Sequence, residues 1–225
     1  MEIEAIIFDK DGTLFDFEAT WSGAMLELLE AVSSSVGQEK AAEAIGFDLE
    51  TRRFRPGSVA IAGTAMDTGQ VLAPVVGCEV AEVVRIMDEI AARTVPVPVV
   101  DLVPCLERLR SVGPMGVVTN DSEVPARAHL EGAGIAGLFD FVAGFDSGHG
   151  VKPGPGALLA CARAFEVVPE RVLMVGDSLH DLRAGRAAGM LCVGVLTGVA
   201  GVEELAPFAE VVLPDIGHLA GWIKE

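Results

Sequence analysis

The amino-acid sequence predicts an α/β fold in which a parallel sheet is flanked by helices. Short apolar segments alternate with amphipathic segments at the N-terminus and again from about residue 100 onwards, the pattern of parallel strands joined by helical crossovers. Residues 17–97 show helical patterns only and lead into Pro96-Val97-Pro98, a stiff linker. We therefore expect a core formed by residues 1–16 and 98–225, and an inserted α-helical cap domain formed by residues 17–97.

The predicted strands share a short apolar run that leads towards Gly, Asp, Asn or Thr, and they are residues 3–8, 115–118, 139–145, 171–175, 191–196 and 211–213. Helical spacing predicts helices over 19–36, 38–45, 70–76, 79–94, 102–112, 122–132, 154–165, 179–188 and 216–223. Ser122 is expected to cap its helix, and Pro153 to take the first helical position of the next one. No strand is predicted within the insert.

Composition and charge narrow the classes of function. The chain has 225 residues, of which 33 are acidic and 16 basic, and its net charge of −17 disfavours binding to nucleic-acid phosphates. No long apolar run predicts a membrane span, and no basic and then apolar N-terminus predicts a secretory signal. The four cysteines lack zinc-ligand spacing. We therefore expect a cytoplasmic protein without a nucleic-acid or membrane partner.

Two aspartates, Asp9 and Asp11, follow the first predicted strand and lead into Gly12 and Thr13. In an open α/β sheet, ligands bind beyond the carboxyl ends of the strands. Gly12 lets the backbone leave strand geometry, so that both carboxylates can face one pocket. The same residue types are also common in ordinary turns. The motif favours a chemical role over a simple turn.

Three further polar groups lie at or near strand ends, and they are Thr119 with Asn120, Lys152, and Asp177 with Asp181. Because parallel strands bring their carboxyl ends to one edge of the sheet, we expect these side chains to converge with the first motif. Each group also has a structural alternative. A strand-end threonine is often a helix cap, a lone lysine is usually on the surface, and carboxylates stabilise a helix N-terminus.

The four groups, in this order, resemble the signature of the haloacid dehalogenase-like hydrolases, most of which are phosphatases. The position of the insert is similar to that of the helical cap in the phosphoglycolate phosphatase-like branch. The resemblance implies a Rossmann-like core with Asp9 as the nucleophile, and with Asp11 as the acid that protonates the leaving group and then activates water. It implies that the hydroxyl of Thr119 and the backbone amide of Asn120 bind the phosphate, and that Lys152 offsets the negative charge of Asp9 and of the phosphate.

The resemblance also implies a divalent metal ion. Carboxylates ~4 Å apart repel by about 4 kcal/mol per pair at an effective dielectric constant near 20, so a convergent cluster needs a cation. A site made of oxygen ligands that keeps several waters suits Mg²⁺. The expected ligands are a carboxylate oxygen of Asp9, the backbone carbonyl of Asp11 and the carboxylate of Asp177. Asp181 is expected to orient metal-bound water.

The expected substrate is a small phosphomonoester metabolite, such as phosphoglycolate or a sugar phosphate. Arg53 and Arg55 belong to a basic island in the insert, where they either bind a second anionic group of the substrate or lie on the surface. Phe17 and Trp21 either line the pocket or pack at the hinge of the cap, and packing is the favoured prediction.

Two other functions stay open. One is a phosphomutase of the β-phosphoglucomutase type, which Thr13 disfavours because that branch more often has a bulkier apolar residue there. The other is a non-hydrolytic phosphoacceptor signalling module, which would lack both the insert and the paired aspartates. The protein is expected to act as a monomer or a homodimer.

Overall fold

The core of the molecule is built on one parallel sheet. The computed structural model of the chain describes residues 2–33 and 37–224. Its strands are β1 (Ala5–Phe8), β2 (Phe47–Asp48), β3 (Arg53–Phe54), β4 (Met115–Val118), β5 (Phe141–Ala143), β6 (Val172–Gly176), β7 (Leu191–Val195) and β8 (Val211–Leu213). Strands β2 and β3 form a separate antiparallel hairpin, and the other strands form a six-stranded sheet in the order β5-β4-β1-β6-β7-β8. The predicted α/β, Rossmann-like sheet is confirmed.

Helices cover both faces of this sheet and form most of the insert. In the described residues they are α1 (Phe17–Val32), α2 (Gln38–Ile45), α3 (Val59–Ala62), α4 (Ala65–Val76), α5 (Val80–Arg93), α6 (Leu102–Leu109), α7 (Glu123–Gly132), α8 (Gly156–Ala164), α9 (Leu179–Ala188), α10 (Val202–Leu205) and α11 (Leu219–Trp222). Short 3₁₀ turns lie at 136–138, 169–171, 206–208 and 216–218. No helix in this part of the chain has the length and apolar character needed to cross a membrane.

Strand β1 lies in the middle of the sheet, between β4 and β6. Successive strand side chains point to opposite faces. Ile6 and Phe8 accordingly pack with α6 and α7 on one face, while Ala5 and Ile7 pack with α8 and α9 on the other. Both faces are therefore dry, which is why the strand is a continuous apolar run and not an alternating one.

The order of the strands creates a crevice at one place in the sheet. The connections from β1 lead outwards through β4 to β5, whereas those from β6 lead in the opposite direction through β7 to β8. In sheets of this kind, ligands bind outside the carboxyl ends of the two strands where the direction reverses. Those strands are β1 and β6, and the residues that follow them are Asp9 and Asp177.

Residues 17–97, called the cap segment below, have a hydrophobic cluster of their own. Helices α1, α2, α4 and α5 contribute most of it, and Phe47 and Phe54 of the hairpin complete it. This separate cluster supports the proposed division of the chain into core and cap. The hairpin and α3 were not predicted, and α4 begins at Ala65 and not at residue 70. The hairpin pairs only two residues of each strand, too few to leave a pattern in the sequence.

Two local predictions in the core are wrong. Ser122 precedes α7, but its side chain makes no cap hydrogen bond and donates from Oγ to Asp88 of the cap segment at 2.7 Å. Pro153 does not begin α8, because that helix starts at Gly156. In both cases the loop after the strand reaches the cap or the pocket before the helix begins.

Hydrogen bonds join the cap segment to the core beside this crevice. Asn120 donates from Nδ2 to the carbonyl oxygen of Ala62 at 2.9 Å. The Nε2 atom of His129, on α7, lies 2.8 Å from the carbonyl oxygen of Ala91. Because a carbonyl oxygen can only accept a hydrogen bond, Nε2 carries the proton. Together with the bond from Ser122 to Asp88, these contacts hold α3 and α5 over the carboxyl edge of the sheet.

Candidate active site

The structure brings most of the predicted site residues together at the carboxyl edge of the sheet. Asp9 follows β1, Thr119 follows β4 and Asp177 follows β6, while Lys152 comes from the loop before α8. All four line one pocket between the core and the cap segment, together with Asp181. The side chains are almost completely buried. Burial of so many ionisable groups is tolerated only when they are paired with one another or with a bound ion.

Lys152 links two of the carboxylates. Its Nζ lies 2.5 Å from Oδ1 of Asp9 and 2.6 Å from Oδ1 of Asp181. Burial lowers the pKa of Lys152, but the neighbouring Asp181 and Asp9 outweigh that effect, so the net pKa is raised and the amine stays charged. Burial raises the pKa of Asp9 to about 7, and the Lys152 ammonium opposes this shift. A lysine in this position acts as a compact point charge.

Asp9, Asp177 and Asp181 form a group whose carboxylate oxygens all lie within 4.8 Å of one another. Burial, reinforced by Asp181 and Asp9, raises the pKa of Asp177 well above its ordinary value. Thr13 donates from Oγ1 to Oδ1 of Asp177 at 3.2 Å. One ammonium for three carboxylates leaves excess negative charge, and hard oxygen donors are what Mg²⁺ prefers. The donor set therefore fits the expected metal ion.

Asp177 is enclosed by two glycines. A Cβ atom on Gly12, whose φ is +83°, would lie 2.4 Å from Cγ of Asp177, and one on Gly198 would lie 1.7 Å from its Oδ2. Thr197 holds this second loop by donating from Oγ1 to the carbonyl oxygen of Gly12 at 2.6 Å. The role of the loop after β7 was missed by the sequence analysis, because Thr197 and Gly198 look like any other turn.

The side chain of Asp11 does not join the carboxylate group. Its Oδ1 accepts a hydrogen bond from Nε1 of Trp21 at 2.8 Å, and its Oδ2 lies 2.7 Å from Nζ of Lys10. Trp21 belongs to α1 and lines the pocket together with Phe17, so neither side chain serves only to pack the hinge of the cap. The expected contribution of Asp11 to a metal site rests on its backbone carbonyl alone.

Lys10 is completely buried at the centre of a second charged cluster. Its Nζ lies 2.7 Å from Asp11, 3.1 Å from Oδ2 of Asp121 and 3.0 Å from Nδ1 of His129. The ammonium also lies 5.3 Å from the centre of the Trp21 ring. Burial lowers the pKa of His129, which agrees with a neutral ring that accepts at Nδ1. The position of Lys10 between two aspartates gave no sign of this cluster in the sequence.

The side chain of Asn120 makes contacts that the sequence did not predict. Its Nδ2 donates a hydrogen bond to the backbone carbonyl oxygen of Lys152 at 3.0 Å. Its Oδ1 accepts one from the backbone amide of Lys152, also at 3.0 Å. The Oγ1 atom of Thr119 accepts from the amide of Asp121 at 3.1 Å. The Asn120 side chain therefore fixes the lysine loop, and a phosphate contact is left to its backbone amide.

The two cap arginines lie outside the pocket. Arg53 and Arg55 are both exposed in the hairpin region and are not among the residues that line the cavity. Arg55 instead lies 3.6 Å from Asp48 across the hairpin. Their predicted contact with an anionic group of the substrate is not part of this arrangement.

A comparison with protein families decides the relationship. A family model described as haloacid dehalogenase-like hydrolase matches residues 3–189 of the chain. The chain belongs to this family. The match covers all four motif groups, and the predicted resemblance is confirmed.

Curated relatives extend this assignment. The phosphoglycolate phosphatase of Escherichia coli K12 is 31% identical over 210 residues, which cover 88% of this chain and 82% of that protein. The phosphoglycolate phosphatase of Neisseria meningitidis is 37% identical over 102 residues, which cover 45% of this chain and 43% of that protein. The chain thus matches less than half the length of the Neisseria relative. These names support the expected enzyme class, the phosphoric monoester hydrolases.

Solved structures share the fold over nearly the whole chain. CbbY from Rhodobacter sphaeroides, solved in complex with phosphate, has a TM-score of 0.74 and 23% identity, and the match covers 96% of each chain. A β-phosphoglucomutase from Clostridium difficile has a TM-score of 0.68 and 19% identity, covering 99% of this chain and 96% of that one. At these identities the likeness establishes the fold alone.

Proposed function

We propose that this protein is a magnesium-dependent phosphatase that hydrolyses a small phosphomonoester through an aspartyl-phosphate intermediate. The observation that carries the proposal is the buried group of Asp9, Asp177 and Asp181, with Lys152 bridging Asp9 and Asp181 at the reversal point of the sheet. The names of the relatives support the same activity. The proposal includes a cytoplasmic location, which the free cysteines at positions 78, 105, 161 and 192 support.

Each protein group has a definite task in this reaction. Asp9 attacks phosphorus with a carboxylate oxygen and forms the acyl phosphate, while the bond from phosphorus to the leaving oxygen breaks. Asp11 gives its proton to that leaving oxygen and later takes one from the water that hydrolyses the acyl phosphate. Lys152 holds Asp9 in place, and the hydroxyl of Thr119 and the amide of Asn120 face the phosphate oxygens.

Asp9 and Asp177 would hold the magnesium ion directly, with the backbone carbonyl of Asp11. Asp181 would keep Lys152 and metal-bound water oriented, since Lys152 already occupies its Oδ1. When bound, the ion supplies positive charge to the phosphate oxygens and keeps neighbouring carboxylates ionised. The contacts of Asp11 with Trp21 and Lys10 place its carboxyl beside the cap, on the side from which an alcohol would leave.

The test is hydrolysis of an aryl phosphate with and without Mg²⁺. Asp9→Asn should lower kcat by a factor of at least ~10⁴, because the amide cannot accept phosphorus. Glu131→Gln, which removes an exposed carboxylate on α7, is the matched control and should keep wild-type activity. Full activity in Asp9→Asn, or activity unchanged after chelation of divalent ions, would refute the proposal.

Asp11→Asn tests the second half of the reaction. The variant should accept phosphorus from an activated ester but release it slowly, because no base remains to activate water. Mass spectrometry should then detect a phosphorylated chain, with the phosphate on Asp9. Release of inorganic phosphate, and not transfer to a second sugar hydroxyl, separates a phosphatase from a phosphomutase.

A further inference from the structure

The cap side of the pocket has a chemistry unlike that of the phosphate side. Its residues are mainly apolar, namely Phe17, Trp21, Met25, Phe54, Ala60, Ile61, Ala62, Met87 and Ala91. Within residues 2–33 and 37–224, Lys152 is the one lysine or arginine that lines the pocket, and its ammonium is already shared between Asp9 and Asp181. A group bound on the cap side therefore meets no cationic side chain that could pair with it.

Three carboxylates lie on this side, and we call Asp11, Asp88 and Asp121 the acidic wall. All three line the pocket. Asp88 projects from α5, and the bond from Ser122 uses one of its two oxygens. Asp121 has a buried Oδ2 that lacks a hydrogen-bond partner of good geometry, although Lys10 lies 3.1 Å away. When Asp11 carries the proton that it donates in the proposed reaction, the charges of the wall are those of Asp88 and Asp121, and Lys10, behind the wall, offsets one of the two.

The acidic wall lies where the leaving alcohol must be. In the proposed reaction Asp11 protonates the leaving oxygen, so the carbon attached to that oxygen starts next to Asp11. Trp21 donates to Asp11 and marks the beginning of the apolar surface. The rest of the alcohol then extends between the wall and the apolar residues of the cap segment. The wall and the apolar residues therefore select the charge and polarity of the alcohol, and this selection is separate from recognition of the phosphate.

We propose that the substrate is a phosphomonoester whose alcohol carries no carboxylate and offers hydroxyl or ammonium donors on an otherwise apolar body. This inference rests on the proposed phosphatase activity. A carboxylate in the alcohol would meet the like charges of the wall in a partly dry pocket, whereas a donor would find an acceptor in the second carboxylate oxygen of Asp88, which the bond from Ser122 does not use. The protein would thus differ from relatives named phosphoglycolate phosphatases, despite the shared fold and motifs.

The positions of two cap arginines support the proposal that the alcohol carries no carboxylate. Arg53 and Arg55 are the cap residues predicted as a possible site for a second anionic group of the substrate, and both are exposed outside the cavity. Half-exposed Asp48 faces Arg55. Helix α4 begins beside the pocket, but Asp67 already occupies its N-terminus, where Oδ2 accepts from the Thr64 amide at 2.8 Å. An added anion would be repelled there too.

Three probes of matched size test the inference. Phosphoglycolate, ethyl phosphate and O-phosphoethanolamine all have a two-carbon alcohol, which ends in a carboxylate, a methyl group or an ammonium group. We expect kcat/KM of the purified full-length protein with Mg²⁺ to be at least about tenfold lower for phosphoglycolate than for ethyl phosphate, since tenfold corresponds to about 1.4 kcal/mol. O-phosphoethanolamine should be hydrolysed at least as well as ethyl phosphate.

Asp88→Asn shows whether the wall causes this selectivity. The variant should raise kcat/KM for phosphoglycolate and lower it for O-phosphoethanolamine, and so narrow the ratio between them by about tenfold. Glu89→Gln removes the same charge from the next, exposed position of α5 and should leave the ratio unchanged. Ethyl phosphate serves as the internal reference, because its alcohol has no charge and its turnover reports on folding and catalysis alone.

The outcomes separate this inference from the proposed function. Hydrolysis of ethyl phosphate together with equal or better hydrolysis of phosphoglycolate overturns the inference and leaves the phosphatase proposal intact. An unchanged ratio in Asp88→Asn overturns the role of the wall, even if the wild-type preference is as expected. Failure of the wild-type protein to hydrolyse any of the three esters, or an aryl phosphate, overturns both.

Discussion

Replacement of Lys10 by methionine removes the cation at the centre of a buried cluster while keeping a side chain of similar length. Lys10 is fully buried and contacts Asp11 at 2.7 Å and Asp121 at 3.1 Å. At an effective dielectric constant near 20, those separations correspond to attractions of about 6 and 5 kcal/mol, most of which offsets the cost of burying the charges. Removing one member of a buried ion pair typically costs about 3–5 kcal/mol.

We therefore expect Lys10→Met to lower the free energy of unfolding by about 4 kcal/mol, because the carboxylate of Asp121 is left buried without its cation. With an m-value of roughly 2.5 kcal/mol per molar urea, the unfolding midpoint should fall by about 1.6 M. Lys40→Met, at an exposed position of α2, is the control and should leave the midpoint nearly unchanged. Circular dichroism during urea titration measures both.

A double mutant distinguishes the effect of the charge on Lys10 from the effect of its packing. If the cost arises from a stranded charge, Lys10→Met combined with Asp121→Asn should be more stable than Lys10→Met alone, by about 2 kcal/mol. Costs that simply add, or a single-mutant cost below about 1 kcal/mol, would show that Lys10 is held by packing and not by its charges.

Two further predictions concern backbone space and pH. Gly12→Ala should reduce kcat at least about tenfold and cost about 1–2 kcal/mol of stability, because φ is +83° and the new Cβ would lie 2.4 Å from Asp177. Gly23 lies in α1, and a Cβ atom added there would have no neighbour within 4 Å, so Gly23→Ala should instead stabilise the protein by about 0.5–1 kcal/mol. Thermal melts of the two variants measure both stability changes. Hydrogen bonding to Arg110 lowers the pKa of Asp140 in the folded state. Its contribution is therefore fully present above the ordinary carboxyl pKa of about 4 and is lost as pH falls through the lowered pKa of the folded state. Asp140→Asn should cost about 0.5–1 kcal/mol at pH 7 and progressively less as the solution is acidified through that lowered pKa, and a cost that does not change with pH would contradict the ion pair.

The sequence reveals the residues at strand ends better than those between elements. Asp9, Thr119 and Asp177 each follow a fully apolar strand, and the parallel arrangement determines which edge they share. Lys152 has no strand directly before it, and only the resemblance to the lysine motif of the family indicated its place in the site. The positions at strand ends were predictable because strand period and sheet topology control them directly.

The cluster around Lys10 could not be predicted in the same way. Lys10 lies between two aspartates in the sequence, and what surrounds its side chain depends on the packing of α7 against α5. His129 and Trp21 reach Lys10 from 119 and 11 residues away, and no local pattern records such contacts. The exposure of Arg53 on the hairpin could not be predicted either, because a strand of two residues is too short to show an alternating pattern.

Strand β1 is the first part of the sheet to be synthesised, although it lies between β4 and β6. Its second neighbour, β6, ends at Gly176, so one side of β1 stays open until most of the chain has been made. At about 5–20 residues per second, translation keeps that apolar edge unpaired for roughly 10–30 s. The nascent chain therefore carries a central strand with at least one unpaired edge until β6 has been synthesised.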